Sequence, residues 1–178
     1  MVALDKKTIR QEMIQKRRAL SKEEWQNKSM QILDTLLSSS FFCGPIGIYM
    51  DIKQEVWTGP LLDHCLKHHI PVAIPKVEKD GLVFYYIHSY DEFEEGTFHV
   101  LEPTTHTLAK DLKTLIVPLV AFNDTLDRIG YGKGYYDQYL NQHEVKTIGI
   151  AFEFQKASFK KETHDHPLDH IITEVKIY

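Results

Sequence analysis

The residues best suited to chemistry form one short run, Arg128-Ile129-Gly130-Tyr131-Gly132-Lys133-Gly134-Tyr135-Tyr136-Asp137. Three glycines alternate with larger residues, and a helix pattern follows at once. Glycine reaches positive φ without a Cβ clash, so successive backbone N–H groups can converge on one point. The next helix adds its own unpaired N–H groups and the positive end of its dipole. Arg128 and Lys133 add full charges. A loop of this kind suits a densely negative guest such as a nucleotide phosphate.

The run is not a common phosphate loop. A Walker A loop places four residues between its glycines and then Lys-Ser/Thr, whereas Lys133 here is followed by Gly134. The G-x-G-x-x-G fingerprint also fails, because the third glycine arrives one residue early. Glycines alone would read as a turn, with Tyr135, Tyr136, Tyr139 and Leu140 packing a helix on a sheet. The flanking charges and Asp137 in the first helical turn favour phosphate binding over that turn.

Other candidates are weaker on spacing alone. Lys6 and Arg10 lie one turn apart on a helix face, where a solvated basic face is the ordinary reading. Asp137 could serve a phosphate-bound cation or simply complement the helix dipole. Glu55 falls in a polar loop, where glutamates are usually surface. Trp57, Phe122 and Tyr135 could wall a flat heterocycle or belong to the core. His164-Asp165-His166 with His170, and His64 with His68, match no standard zinc spacing. Cys43 and Cys65 have no nucleophile signature, and no G-x-S-x-G elbow is present.

Pro118-Leu119-Val120-Ala121-Phe122, a polar insert, and then the run from Arg128 to Asp137 resemble the signature of the 5-formyltetrahydrofolate cyclo-ligase family. Lys6 with Arg10, Glu55, Leu101-Glu102-Pro103 and Pro167-Leu168-Asp169-His170-Ile171-Ile172-Thr173-Glu174 agree in order along nearly the whole chain. The family varies at the position of Tyr131. The resemblance implies an ATP- and Mg²⁺-dependent ligase that closes 5-formyltetrahydrofolate to 5,10-methenyltetrahydrofolate. It implies ATP contacts from Lys6, Arg10, Arg128, Gly130, Gly132, Lys133, Gly134, Tyr135 and Tyr136, with Lys133 and Arg128 stabilising the transferred phosphoryl group. It implies folate contacts from Glu55, Met50, Trp57, Tyr131 and Tyr135, and magnesium contacts from Asp137 and Asp169. A sugar-phosphate isomerase or coenzyme A transferase on a similar scaffold, and a non-catalytic nucleotide- or folate-binding module, are the competing readings.

The elements that must position these residues follow from periodicity. Residues 4–20 read as a basic helix, with Ile9, Met13 and Leu20 on one face. Ser21-Lys22-Glu23-Glu24 has capping-box spacing and opens a second helix that Ser38-Ser39-Ser40 ends. A strand over 46–50, the Glu55 loop, a helix over about 59–69 capped by Thr58, and a strand over 70–74 predict a parallel crossover. Strands are predicted over 82–88, 115–120, 147–151 and 171–177, a solvated turn or short helix over 91–95, and a helix over about 134–142. The expectation is α/β: a single three-layer domain, residues 1–178, with a mixed, mainly parallel sheet flanked by helices. Ligands in such sheets sit beyond the carboxyl ends of strands, so Glu55 and the glycine loop should face one cleft.

Net charge is −4, which argues against a broad nucleic-acid surface but not against a small anionic ligand in a local basic pocket. No stretch is apolar enough to span a membrane, and the charged start reads as a helix and not a signal peptide. Two cysteines are too few for a disulfide framework. The expected setting is a cytoplasmic monomer acting on ATP and a folate, with no nucleic-acid or membrane partner.

Overall fold

The computed structural model describes residues 4–178. Helix α1 (Lys6–Arg18) starts at Asp5, whose Oδ1 accepts from the Thr8 N–H at 2.9 Å. Helix α2 (Lys22–Ser38) carries the expected capping box: Ser21 and Glu24 each accept from the other's backbone N–H. Strand β1 (Ile46–Gly47) leads through the Glu55 loop to α3 (Gly59–Lys67), and β2 (Val72–Glu78) follows. β1 and β2 pair in parallel, as the crossover reading requires. Thr58 holds the N-cap position of α3, but its hydroxyl lies 2.9 Å from both the Tyr49 carbonyl and Asp51 Oδ1 and does not cap the helix.

Several elements depart from the periodicity. β2 runs on past residue 74 and turns at Lys79-Asp80 into β3 (Gly81–Ile87), forming an antiparallel hairpin. The acidic stretch after residue 90 is a single 3-10 turn followed by β4 (Phe93–Glu95), which pairs with β5 (Leu101–Pro103). β6 (Thr114–Val117) stops short of residue 120, because Pro118 has no N–H to continue the ladder. A small hairpin follows instead, β7 (Ala121–Phe122) against β8 (Arg128–Ile129). After α4 (Tyr135–Gln142) and β9 (Lys146–Ile150), β10 (His170–Ile172) ends early. Thr173 Oγ1 accepts from Val175 N and Lys176 N, and this folds Ile177 back beside Ile172.

The main sheet has the order β10-β9-β6-β1-β2-β3, parallel throughout except for β3 at one edge. It is mixed and mainly parallel, as expected. Alternation along β6 builds both faces. Ile116 packs with Ile32, Leu36, Leu61 and Leu62 of α2 and α3, whereas Leu115 and Val117 pack with Tyr139 of α4. Helix α1 lies elsewhere: Ile9 and Met13 pack on Val120, Ala121 and Ile129, beside the hairpin that delivers the glycine loop. That packing sets the position of every cation on α1.

Candidate functional site

The glycine loop leaves β8 and ends at α4. Gly132 has φ 95° and Gly134 has φ 71°, both in the region where a side chain is strained. Gly134 is the N-cap of α4, so the N–H groups of the first helical turn open beside the loop. A Cβ on Gly134 would meet nothing within 4 Å, and one on Gly132 would meet only the Arg10 guanidinium, at 3.7 Å. The loop is therefore an open cradle with a cation on its rim. Arg10 Nε donates to the Gly130 carbonyl at 2.7 Å, which ties α1 to the loop. Lys133 is exposed and pairs with no carboxylate among the described residues.

Arg128 and Lys6 are placed differently from a free phosphate ligand. Arg128 is buried, and its Nη2 donates to Asp137 Oδ1 at 3.1 Å. Its Nε has no hydrogen-bond partner among the described residues. Lys6 extends to Asp165 at 2.8 Å and Glu162 at 3.2 Å. Glu162, His164 and Asp165 bring donor atoms within 4.8 Å of one another, with the Lys6 ammonium against both carboxylates. His166 instead contacts Asn141, and His170 stacks on Phe41 at 4.1 Å.

The two aspartates expected at a metal do not come together. Asp137 sits in the first turn of α4 beside Arg128. Asp169 lies at the amino ends of β9 and β10, where its Oδ2 accepts from the Thr147 N–H at 2.8 Å and lies 3.1 Å from the Thr147 hydroxyl. The loops after β1 and β8 are at the carboxyl ends of the strands. Asp169 thus brackets two strand starts and does not face the cradle.

Beyond the loop lies a cavity of about 220 Å³, lined by Met50, Glu55, Tyr131, Tyr135 and Tyr136 together with Phe98. Trp57 is not part of its lining; its ring packs on Trp25, with centroids 5.5 Å apart. Phe122 is fully buried in the core, edge-on to Tyr178. A larger cavity of about 410 Å³, lined by Cys65, His69, Tyr86 and Asp111 among others, carries no Lys or Arg in its wall.

Glu55 is a buried carboxylate in the wall of the smaller cavity, which Glu102 also lines. Oε2 accepts from the Ile52 N–H at 2.9 Å, and Oε1 accepts from the Tyr131 hydroxyl at 3.0 Å. The Glu55 carbonyl accepts from Trp25 Nε1 at 2.7 Å, fixing the backbone as well. Lys53 and Gln54, just before it, both have positive φ, 49° and 53°, so the loop is held in a costly turn to deliver this side chain. Burial pushes the Glu55 carboxyl up to about 7, while the nearby Arg17 charge and the two donors pull it down. Burial and Glu55 together also raise the Tyr131 hydroxyl above its usual range.

Three participants are not apparent from the sequence reading. Arg17 is fully buried and donates from Nη2 to the Tyr131 hydroxyl at 2.6 Å. Its signal was its place between Met13 and Leu20 on the apolar face of α1, where a cation needs a partner. Asp165, beside Lys6, had only a histidine-rich neighbourhood to mark it. Phe98 is highly exposed although it lines the cavity, and no local pattern marked it.

The sequence profile of the 5-formyltetrahydrofolate cyclo-ligase family matches residues 2–174. The chain belongs to that family. A 5-formyltetrahydrofolate cyclo-ligase of Mycoplasma pneumoniae is 34% identical over 177 residues, covering 96% of this chain and 99% of the relative. Its counterpart in Escherichia coli K12 is 26% identical over 178 residues, covering 92% and 97%. The solved structure of Aquifex aeolicus 5,10-methenyltetrahydrofolate synthetase superposes with a TM-score of 0.88 at 32% identity, covering 97% of this chain and 91% of that one. Within its glycine loop this chain carries a phenol, Tyr131, between the first two glycines.

Proposed function

We propose that this chain is a 5-formyltetrahydrofolate cyclo-ligase, converting 5-formyltetrahydrofolate and ATP to 5,10-methenyltetrahydrofolate, ADP and phosphate. The observation that carries the reading is the shared wall of cradle and cavity. Tyr131 lies within the glycine loop and hydrogen-bonds Glu55 in the cavity, so a phosphate on the loop and a ring against Glu55 would be neighbours. Two substrates that exchange a phosphoryl group need that adjacency.

The chemistry asks for positioning and charge, with no covalent nucleophile from the protein. A formamide carbonyl is a poor electrophile and its oxygen a poor leaving group. Transfer of the γ-phosphoryl group to the formyl oxygen releases ADP and leaves an electron-poor carbon bonded to N5. The N10 lone pair then adds to that carbon, the C–O bond breaks with its electrons on the departing phosphate, and the N10 proton is lost to solvent. Lys133 and Arg10, on the rim of the cradle, bind the phosphate tail. Arg128, its charge shared with Asp137, stiffens the loop and adds positive potential behind it. The Glu55 carboxylate accepts N–H donors of the pterin, and Met50, Tyr131, Tyr135 and Tyr136 wall the ring.

Magnesium with ATP fits one carboxylate here. Only Oδ1 of Asp137 is engaged among the described residues, and Mg²⁺ takes one or two carboxylates with phosphate oxygens and water. When bound, it would neutralise phosphate charge. Asp169 is not assigned that role. The reading takes residues 1–178 as a single cyclo-ligase-like domain, acting as a cytoplasmic monomer. Among the described residues no helix is long and apolar enough to cross a membrane. The test is an assay of purified protein with 5-formyltetrahydrofolate, ATP and Mg²⁺, following methenyl absorbance; turnover without ATP would overturn it.

A further inference from the structure

Arg17 has no place in the phosphate cradle, yet it is the most deeply buried cation among the described residues. It stands on the same stripe of α1 as Lys6 and Arg10: offsets of four and eleven residues return to one face of a 3.6-residue helix. Lys6 and Arg10 meet the acidic turn and the loop, while Arg17 reaches Tyr131 and Glu55, two residues of the cavity wall. Its Nη2 donates to the Tyr131 hydroxyl, which donates to Glu55 Oε1, and its Nη1 lies 3.9 Å from that same oxygen. Nε and Nη1 of Arg17 have no hydrogen-bond partner among the described residues. An arginine retained for packing alone would have its donors met by carbonyls, because a buried charge without them is costly. Here the compensation is one carboxylate, reached directly by charge and indirectly through one hydroxyl.

Besides Arg17, the groups near Glu55 are carboxylates, phenols and one lysine. Asp51, on the same loop, disfavours its charge. Tyr49, just after β1, and Tyr136 from α4 are buried phenols raised first by burial and in part by Glu55. Lys53 lies over the Tyr131 ring at 5.1 Å, and Glu102 lines the same cavity. Arg17 is thus the buried positive charge that opposes the desolvation of Glu55.

We infer that Arg17 is a positioning residue for the folate step: through the Tyr131 hydroxyl it holds the Glu55 side chain in the cavity wall and supplies its buried counter-charge. The inference rests on the proposed function only for the identity of the ligand that Glu55 meets. The charge coupling itself is a property of the ligand-free protein.

The experiment has two arms. In the first, the Glu55 carboxyl is titrated by ¹³C NMR in ligand-free protein, with E55Q used to assign its resonance. Wild type should titrate near neutrality, R17M should titrate at least about one pH unit higher, and Y131F should move the same way by less. In the second, steady-state constants for 5-formyltetrahydrofolate and for ATP are measured from about pH 6 to about pH 9. R17M should raise the folate KM about tenfold near pH 7 and recover most of it at the alkaline end, as Glu55 ionises. The ATP KM should stay within about twofold. In an E55Q background, adding R17M should change the folate KM by less than about twofold, because Arg17 acts through Glu55. An unmoved Glu55 titration in R17M, a folate defect independent of pH, or effects of R17M and E55Q that multiply would each overturn the inference. If R17M does not fold, Y131F decides, and an unchanged titration there overturns it. A wild type that neither binds nor converts the folate refutes the proposed function, while the NMR arm still judges the coupling.

Discussion

Replacing Glu55 with glutamine should flatten the pH dependence of stability, and the size of the effect follows from burial. The carboxyl is pushed from 4.5 to about 7 in the folded chain. Each pH unit between folded and unfolded values corresponds to about 1.4 kcal/mol, so a gap of about two and a half units corresponds to about 3 kcal/mol. Because the folded value lies above the unfolded one, the folded chain binds the proton more tightly. The contribution is fully present below about pH 4.5 and is lost as pH rises through about 7. Urea unfolding of wild type and Glu55→Gln at matched pH, from about pH 4.5 to about pH 8, cancels every other titrating group. The wild-type stability should fall by about 3 kcal/mol more than that of the variant across the range. The absolute offset is not the signature, since glutamine also leaves Arg17 without its counter-charge. Parallel curves for the two proteins would refute the reasoning, because they would mean that Glu55 is not desolvated in the folded state.

The remaining expectations concern ligands and the fold. Lys133→Ala and Arg10→Ala should each raise the ATP KM roughly ten- to a hundred-fold with little change for folate, since charge-assisted bonds to phosphate contribute about 1.5–3 kcal/mol; separate titrations of the two substrates check this. Glu55→Gln should lower folate kcat/KM by roughly ten- to a hundred-fold while ATP affinity is kept, and loss of ATP affinity first would misplace Glu55. Asp137→Asn should raise the Mg²⁺ concentration needed for half-maximal rate, whereas Asp169→Asn should leave that titration unchanged and lower unfolding stability by about 1–3 kcal/mol through its lost bonds to Thr147.

The glycine loop of the cradle was legible because its own residues are local, although Arg10 on its rim comes from 120 residues away. Gly132, Lys133 and Gly134 are adjacent, and two of those positions need glycine's positive φ. The parallel core was legible for a similar reason: β1, α3 and β2 follow one another and alternate in period. The long-range partners were not. Glu55 and Tyr131 are 76 residues apart, and Arg17 is 114 residues from Tyr131. Nothing in spacing says that a cation on the apolar face of α1 ends against a loop so distant. Asp169 shows the converse. A motif places it in order along the chain but cannot say which end of the sheet it occupies, and its neighbour Thr147 claims its carboxylate. Pro118 marked the end of β6 in plain sight, yet a run of apolar residues on either side masked it. The turn at Lys79-Asp80 likewise joined two strands whose pairing the sequence left unstated.

The central claim is that cradle and cavity serve one coupled reaction. Purified protein should be given 5-formyltetrahydrofolate, ATP and Mg²⁺, with methenyl absorbance and ADP release recorded in the same reaction. The account predicts that neither product forms when either substrate is omitted, and that one ADP appears for each ring closed. Ring closure without ADP release, or ADP release that ignores the folate, would contradict it.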